Sequence, residues 1–218
     1  TNLNVFIDLL SSEKGATEST ENLDDAVNSF VTYICERGKY IDYQIGITTT
    51  SVDYTNGPTT DIDPGEAGTL LGNPTIIGKY DANVSEKFKK NILCEATYWD
   101  PTLLGADSEI TAAELDALCG SGWDGNSGSG NEEPLEAALL ALCRSVEEPP
   151  EACYDPRSIG FTDADIMSNE GMIREGSTVV IVMVGDEADT SRRLQQGETD
   201  PTPYREAFDS FGLQLRFV

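Results

Sequence analysis

From Thr178 to Ser191 the chain reads Thr-Val-Val-Ile-Val-Met-Val-Gly-Asp-Glu-Ala-Asp-Thr-Ser, six apolar residues in a row that end on a glycine and a cluster of acids and hydroxyls. An unbroken, β-branched run of this kind has no polar face to offer to water. It belongs in a strand covered on both sides, as in the middle of a parallel sheet. Ligands of such sheets gather outside the carboxyl ends of the strands. Asp186, Glu187 and Asp189 stand at that end, either as a site or as solvated loop acids.

The rest of the chain repeats a strand-then-helix order. Leu3 to Asp8 reads as a short strand ending on an aspartate, and Leu23, Val27, Phe30, Val31 and Ile34 give residues 19–38 a helical spacing that stops at Gly38. Tyr40 to Thr50 is the second strand, and the polar loop after it, 51–73, is long enough to carry its own hairpin. Short helices are expected from Ser85 to Ile92 and from Ile110 to Leu118; the acids Asp107 and Glu109 beside the second lack the spacing of an EF-hand loop. Ser121 to Gly130 is a glycine loop with no Gly-Lys-Ser/Thr after it, so it is not a phosphate loop. It leads into an Ala- and Leu-rich helix, Glu132 to Arg144, with Pro134 in the first turn. Asp163 and Asp165 are a second pair of acids, read as solvated or as a further cation site. A helix from Tyr204 to Phe211 and a strand from Gln214 to Val218 close the pattern.

Strands alternating with helices through right-handed crossovers predict an α/β fold: a doubly wound, mostly parallel central sheet flanked by helices. One domain over 1–218 is expected, part of a longer chain, with loop insertions at about 51–80 and 95–125.

Charge and residue types narrow the function. A net charge of −25 argues against nucleic acid and anionic membrane as partners, because phosphates are held by clustered Lys and Arg. No stretch approaches the roughly 18–20 apolar residues of a membrane helix, so no membrane insertion is expected within this segment. With no histidine in the sequence, Ser-His and Cys-His nucleophiles, His-ligated zinc and a His general base are excluded for it. The five cysteines lack paired zinc spacing and predict one or two disulfides in an exported protein, with Cys143 and Cys153 as the local pair. An enzyme built on Asp186, Glu187 and Asp189 would have only Arg192 and Arg193 nearby to orient a phosphate, so the chain is not expected to be an enzyme.

Three strand-to-helix loops carry oxygen donors: Asp8 with Ser12, Ser127 with Ser129, and Asp186 with Asp189. A donor set of oxygen alone is what a hard divalent ion such as Mg²⁺ selects. Taken with Val5-Phe-Ile-Asp8, Asp42 to Thr50, Gly128 to Ala137 and Val182 to Ser191 in that order, the chain resembles a von Willebrand factor A domain of the bacterial exported type, a Rossmann-like fold. The resemblance implies a metal-ion-dependent adhesion site, formed in that family by Asp-x-Ser-x-Ser, a middle-loop Thr and a later Asp around Mg²⁺ or Mn²⁺. Asp8 and Ser12 match the first and last members of the motif, Ser129 falls near the Thr, and Asp186 matches the final Asp; Ser11, Ser127 and Asp189 are possible additional metal or ligand-binding residues. The motif's first serine falls on Leu10. Either the first loop shifts so that Ser11 supplies the oxygen, or the site is degenerate and binds metal weakly or not at all.

The resemblance implies an exported, extracellular or cell-surface adhesion and recognition module of the bacterial envelope. Its protein ligand would complete the metal site with an acidic side chain. The alternative is a structural interaction domain of a larger surface assembly, with a vestigial metal site and contacts made through the insertions.

Overall fold

The computed structural model describes residues 2–9, 41–55, 62–64, 67–88, 91, 133–157, 161–183, 189–191, 193–194 and 200–218. The helices expected at 19–38 and 110–118, the glycine loop, and Leu10, Ser11, Ser12, Asp107, Glu109, Ser127, Ser129, Asp186, Glu187 and Arg192 lie outside the described residues.

The described strands are β1 (Asn2–Leu9), β2 (Asp42–Thr49), β3 (Asp53–Thr55), β4 (Ile62–Pro64), β5 (Ile76–Gly78), β6 (Thr178–Met183) and β7 (Gln214–Phe217). Five of them form one sheet in the order β5-β2-β1-β6-β7. Strand β1 lies between β2 and β6, parallel to both, with Leu9 opposite Thr49 and Asp8 opposite Thr48 and Met183. Strand β7 continues the parallel set beside β6, while β5 runs antiparallel along β2. At three residues β5 is too short to show a period in the sequence, so it is an addition to the sequence reading. Strands β3 and β4 pair antiparallel as a separate ribbon in the excursion after β2.

Along β2 both faces of this sheet are buried. A side chain at Gly46 would run into Leu70 and Met172, so Ile45 and Ile47, which alternate with it, point the other way. Tyr43, Ile45, Ile47 and Ile77 are buried, and so are Val179 and Ile181, which belong to the cluster around helix α1 (Pro134–Cys143). That helix begins two residues later than the sequence predicts, with Glu133 at its N-cap. Ala137 to Cys143 are buried on every side, as an apolar helix in the middle of a core must be. The turn at Gly68 packs on the α1 backbone so closely that a Cβ there would strike Leu140 and Ala141, and its φ of +80° suits only glycine. Helix α2 (Thr202–Asp209) buries Tyr204, Ala207 and Phe208 in the same core and starts two residues before the expected Tyr204. Of the expected basic helix, the described residues 84–88 and 91 are helical.

Polar ties hold the loops to α1. The side chain of Asn169, itself buried, accepts from the Leu70 amide at 3.1 Å and donates to the Gly68 carbonyl at 2.9 Å. Arg144 donates to the Ala67 carbonyl at 2.8 Å and to Asp165 at 2.5 Å. Burial alone would raise the Asp165 pKa, but hydrogen bonds from Arg144 and Thr162 outweigh it and hold the carboxyl below the usual range. Asp165 is thus bonded to side chains of the fold itself, whereas Asp163 is exposed, as a solvated loop acid would be. Burial, and then the neighbouring Asp163, raise the Tyr154 pKa. Cys143 and Cys153, the pair expected from their spacing, form a disulfide that ties the end of α1 to the 3₁₀ turn Glu151–Tyr154.

Candidate functional site

Three segments meet at the carboxyl edge of the sheet. Strand β1 ends there with Asp8 and Leu9, in register with Thr48 and Thr49 of β2, and Asp8 also pairs with Met183, three positions before Asp186. The second segment is the start of α1, whose preceding residue Glu133 donates its amide to the Thr50 carbonyl at 3.1 Å. The third is the loop after β6. Its Ser191 hydroxyl accepts from the Glu136 amide at 3.1 Å, and Asp189 Oδ1 accepts from the Ser191 amide at 2.8 Å.

The opening turn of a helix has free N–H groups, and α1 has no cap from its own N-cap side chain. Asp189 and Ser191 supply caps from the β6 loop instead, since Asp189 also accepts from the Leu135 amide. Burial raises the Asp189 pKa, those two amide donors oppose the rise, and the Glu136 carboxylate adds to it. The structure therefore places Asp189, expected as an additional ligand, at the edge as a helix-capping carboxylate.

The end of β2 is a buried run of hydroxyls, Thr48 to Ser51, each 1% exposed. Thr48 donates to the Thr69 carbonyl at 2.9 Å and Thr49 Oγ1 accepts from the Ser51 amide at 3.2 Å. Thr50 Oγ1 has no hydrogen-bond partner among the described residues. The burial of this run was not foreseen because threonines at a strand end read as ordinary β-formers.

Behind the edge lies a second cluster that sequence reasoning missed. Glu136, fully buried in α1, accepts from the Tyr204 hydroxyl at 2.6 Å and from Arg193 Nε at 3.2 Å. Arg193 also donates to the Ala152 carbonyl at 2.6 Å. Burial, and then the Glu136 carboxylate, push the Tyr204 pKa far above its ordinary 10, so the phenol stays protonated and donates. Arg193, one of two cations that could have oriented a phosphate, is 3% exposed and bound into this cluster. An acid inside an apolar helix was the available signal, for it needs a buried cation somewhere else in the chain.

The donors expected from the sequence, Asp8, Ser12, Ser129 and Asp186, are all oxygens, which fits a hard divalent ion; of the four only the backbone of Asp8 lies among the described residues. The described residues alone contain no group of three or more Cys, Asp or Glu able to hold a metal. No helix among them is long and apolar enough to cross a membrane. No protein-family model, curated protein or solved structure matches this chain.

Proposed function

We propose that the chain is an exported recognition module with the doubly wound architecture of a von Willebrand factor A domain, non-enzymatic, binding a protein ligand at the carboxyl edge of its sheet. Asp8, Ser12, Ser129 and Asp186 would hold Mg²⁺ or Mn²⁺ there, with Ser11, Ser127 and Asp189 close to them in sequence. A bound ion would offer a coordination position to an acidic side chain of the ligand. The observation that supports this most is the convergence at one edge: Asp8 in register with Thr48 and Met183, and the β6 loop bonded onto the first turn of α1. The buried residues Ile45, Ile47 and Ile77 on the face away from α1 support a second helical layer. The disulfide fits an oxidising compartment.

Calorimetric titration with Mg²⁺ and Mn²⁺ tests the reading. Saturable one-site binding is expected in the parent chain and its loss in Asp186→Ala; equal heats in both would sink the metal site.

A second reading, a structural interaction domain of a larger surface assembly, is favoured by a groove of about 650 Å³ between α2 and β7, lined in part by Tyr204, Phe208, Leu215 and Phe217. Phe217 and Val218 beside it are 44% and 75% exposed. On that reading a chelator leaves partner binding unchanged and Phe217→Asp abolishes it.

A further inference from the structure

We propose that the outer edge of β7 and the groove beside it take up an extended segment of a partner protein, added as a further strand, in which apolar and acidic residues alternate. The inference rests on the second reading above, interaction through the groove between α2 and β7, and names the partner's chemistry. Every residue it uses is among the described ones.

Strand β7 stands last in the sheet, with β6 on one side and no described strand on the other. Two bonds say which backbone groups face the open side. Val218 donates its amide to the Ile181 carbonyl at 2.9 Å and accepts from the Met183 amide at 3.1 Å, so its peptide groups point toward β6. That direction alternates along a strand, so the N–H and C=O of Leu215 and Phe217 point outward. The Arg216 guanidinium reaches the same edge, donating to the Leu215 carbonyl at 3.0 Å. A row of outward N–H and C=O groups is a template for another strand.

The side chains give the pattern of the occupant. Leu215 packs on the core around α1, and Phe217 meets Phe208 of α2 edge to face at 4.9 Å, so both point to the helix-covered face of the sheet. Phe217 is still 44% exposed, and the groove of about 650 Å³ opens beside it. An added strand therefore lays every second side chain against an apolar wall. Arg216 alternates with Leu215 and Phe217 and is exposed on the opposite face, where the intervening side chains of the strand fall. Arg205 of α2 also lines the groove, and Asp209, 3.9 Å from it, is the one acid among the described lining residues. Two arginines to one aspartate reverses the balance of a chain with 39 acids and 14 cations, so charge at this groove favours a segment carrying carboxylates.

The test titrates the whole isotope-labelled chain with two short end-capped peptides, one alternating valine with glutamate and the other valine with lysine, and follows the backbone amide signals. The glutamate peptide should bind saturably, move the Leu215 and Phe217 signals, and bind at least about tenfold tighter than the lysine peptide. Arg216→Glu changes an exposed side chain and should reverse that preference. Two further glutamate peptides, N-methylated at the valines or at the glutamates, keep the side chains but lose one set of ladder donors; one of the two should bind at least about tenfold more weakly. If both methylated peptides bind like the parent peptide, the groove holds side chains without a strand, and strand addition is overturned while the groove reading stands. Lysine and glutamate peptides that bind alike overturn the acidic pattern in the same way. If no peptide moves a signal in the groove, the inference and the groove reading fall together. Should the parent chain dimerise in sedimentation and Phe217→Asp remain a monomer, the occupant is a second copy and the inference is overturned.

Discussion

Glu136 gives the clearest residue-scale test of how this molecule is held together. Its carboxylate is fully buried and takes hydrogen bonds from Tyr204 and Arg193, so Glu136→Ala leaves a guanidinium in the core with much of its compensation gone. Breaking one side of such a buried pair costs about 3–5 kcal/mol, which urea unfolding would read directly; a loss near zero would mean that Asp155, 3.8 Å from Arg193, suffices. Asp155 supplies the pH prediction. Hydrogen bonding from Arg157 lowers its pKa from 3.8 to about 2, against a smaller opposing effect of burial. Because the folded value lies below the unfolded one, the stabilisation is complete above the unfolded pKa and is lost as pH falls through the folded one. Acid titration of Asp155→Asn should therefore show a flatter loss of stability between 3.8 and about 2 than the parent; parallel curves would assign the acid sensitivity elsewhere. At this scale the sequence exposed chemistry but not partners. Asp189 and Asp186 stood out because they follow an apolar strand, whereas Glu136 was hidden inside a helix pattern and Thr50 inside a strand, and only the fold says whom each one meets.

The long elements were legible because their patterns are long. Strand β6 could be read from an unbroken apolar run, and α1 from alanines and leucines after a proline, to within two residues at its start. Strand β5 could not, since its three residues owe their conformation to pairing with β2 and not to any local pattern. The order β5-β2-β1-β6-β7 is likewise a matter of tertiary pairing, which no local pattern in the sequence fixes. The element-scale prediction concerns the joint between α1 and the turn at Glu151–Tyr154. The disulfide there spans a sequence separation of 10, and closing so short a loop in the unfolded chain is worth about 2.5–3 kcal/mol on the chain-entropy model. Replacing both Cys143 and Cys153 by alanine should lower the melting temperature by roughly 6–9 °C. Both sulfurs are buried, so a reductant should open the bond only once denaturant is present. Reduction of the native chain at the same rate as the unfolded one would show that this joint opens locally.

A net charge of −25 acts on the molecule as a whole. Local pairs such as Arg174 with Asp42, Lys87 with Asp81 and Arg144 with Asp165 use cations that are few beside the 39 acids, so the compact state carries a standing self-repulsion. Monovalent salt screens such repulsion, with a Debye length near 10 Å at about 0.1 M, and should raise the melting temperature smoothly without saturating at low concentration. A divalent ion held at the carboxyl edge behaves differently. It stabilises by mass action, by about 2.7 kcal/mol when free ion is a hundred times its dissociation constant, which for a chain of this size is roughly 5–10 °C. The two contributions separate if Mg²⁺ is titrated at constant ionic strength. The screening contribution is then fixed, and any further rise in melting temperature reports a site. That rise should saturate in the parent chain and vanish in Asp186→Ala, while the response to sodium chloride is the same in both. An Mg²⁺ response that survives Asp186→Ala unchanged would mean that divalent ions act on this protein only as counter-ions to its charge, and recognition would then have to be sought away from the edge, at the groove between α2 and β7.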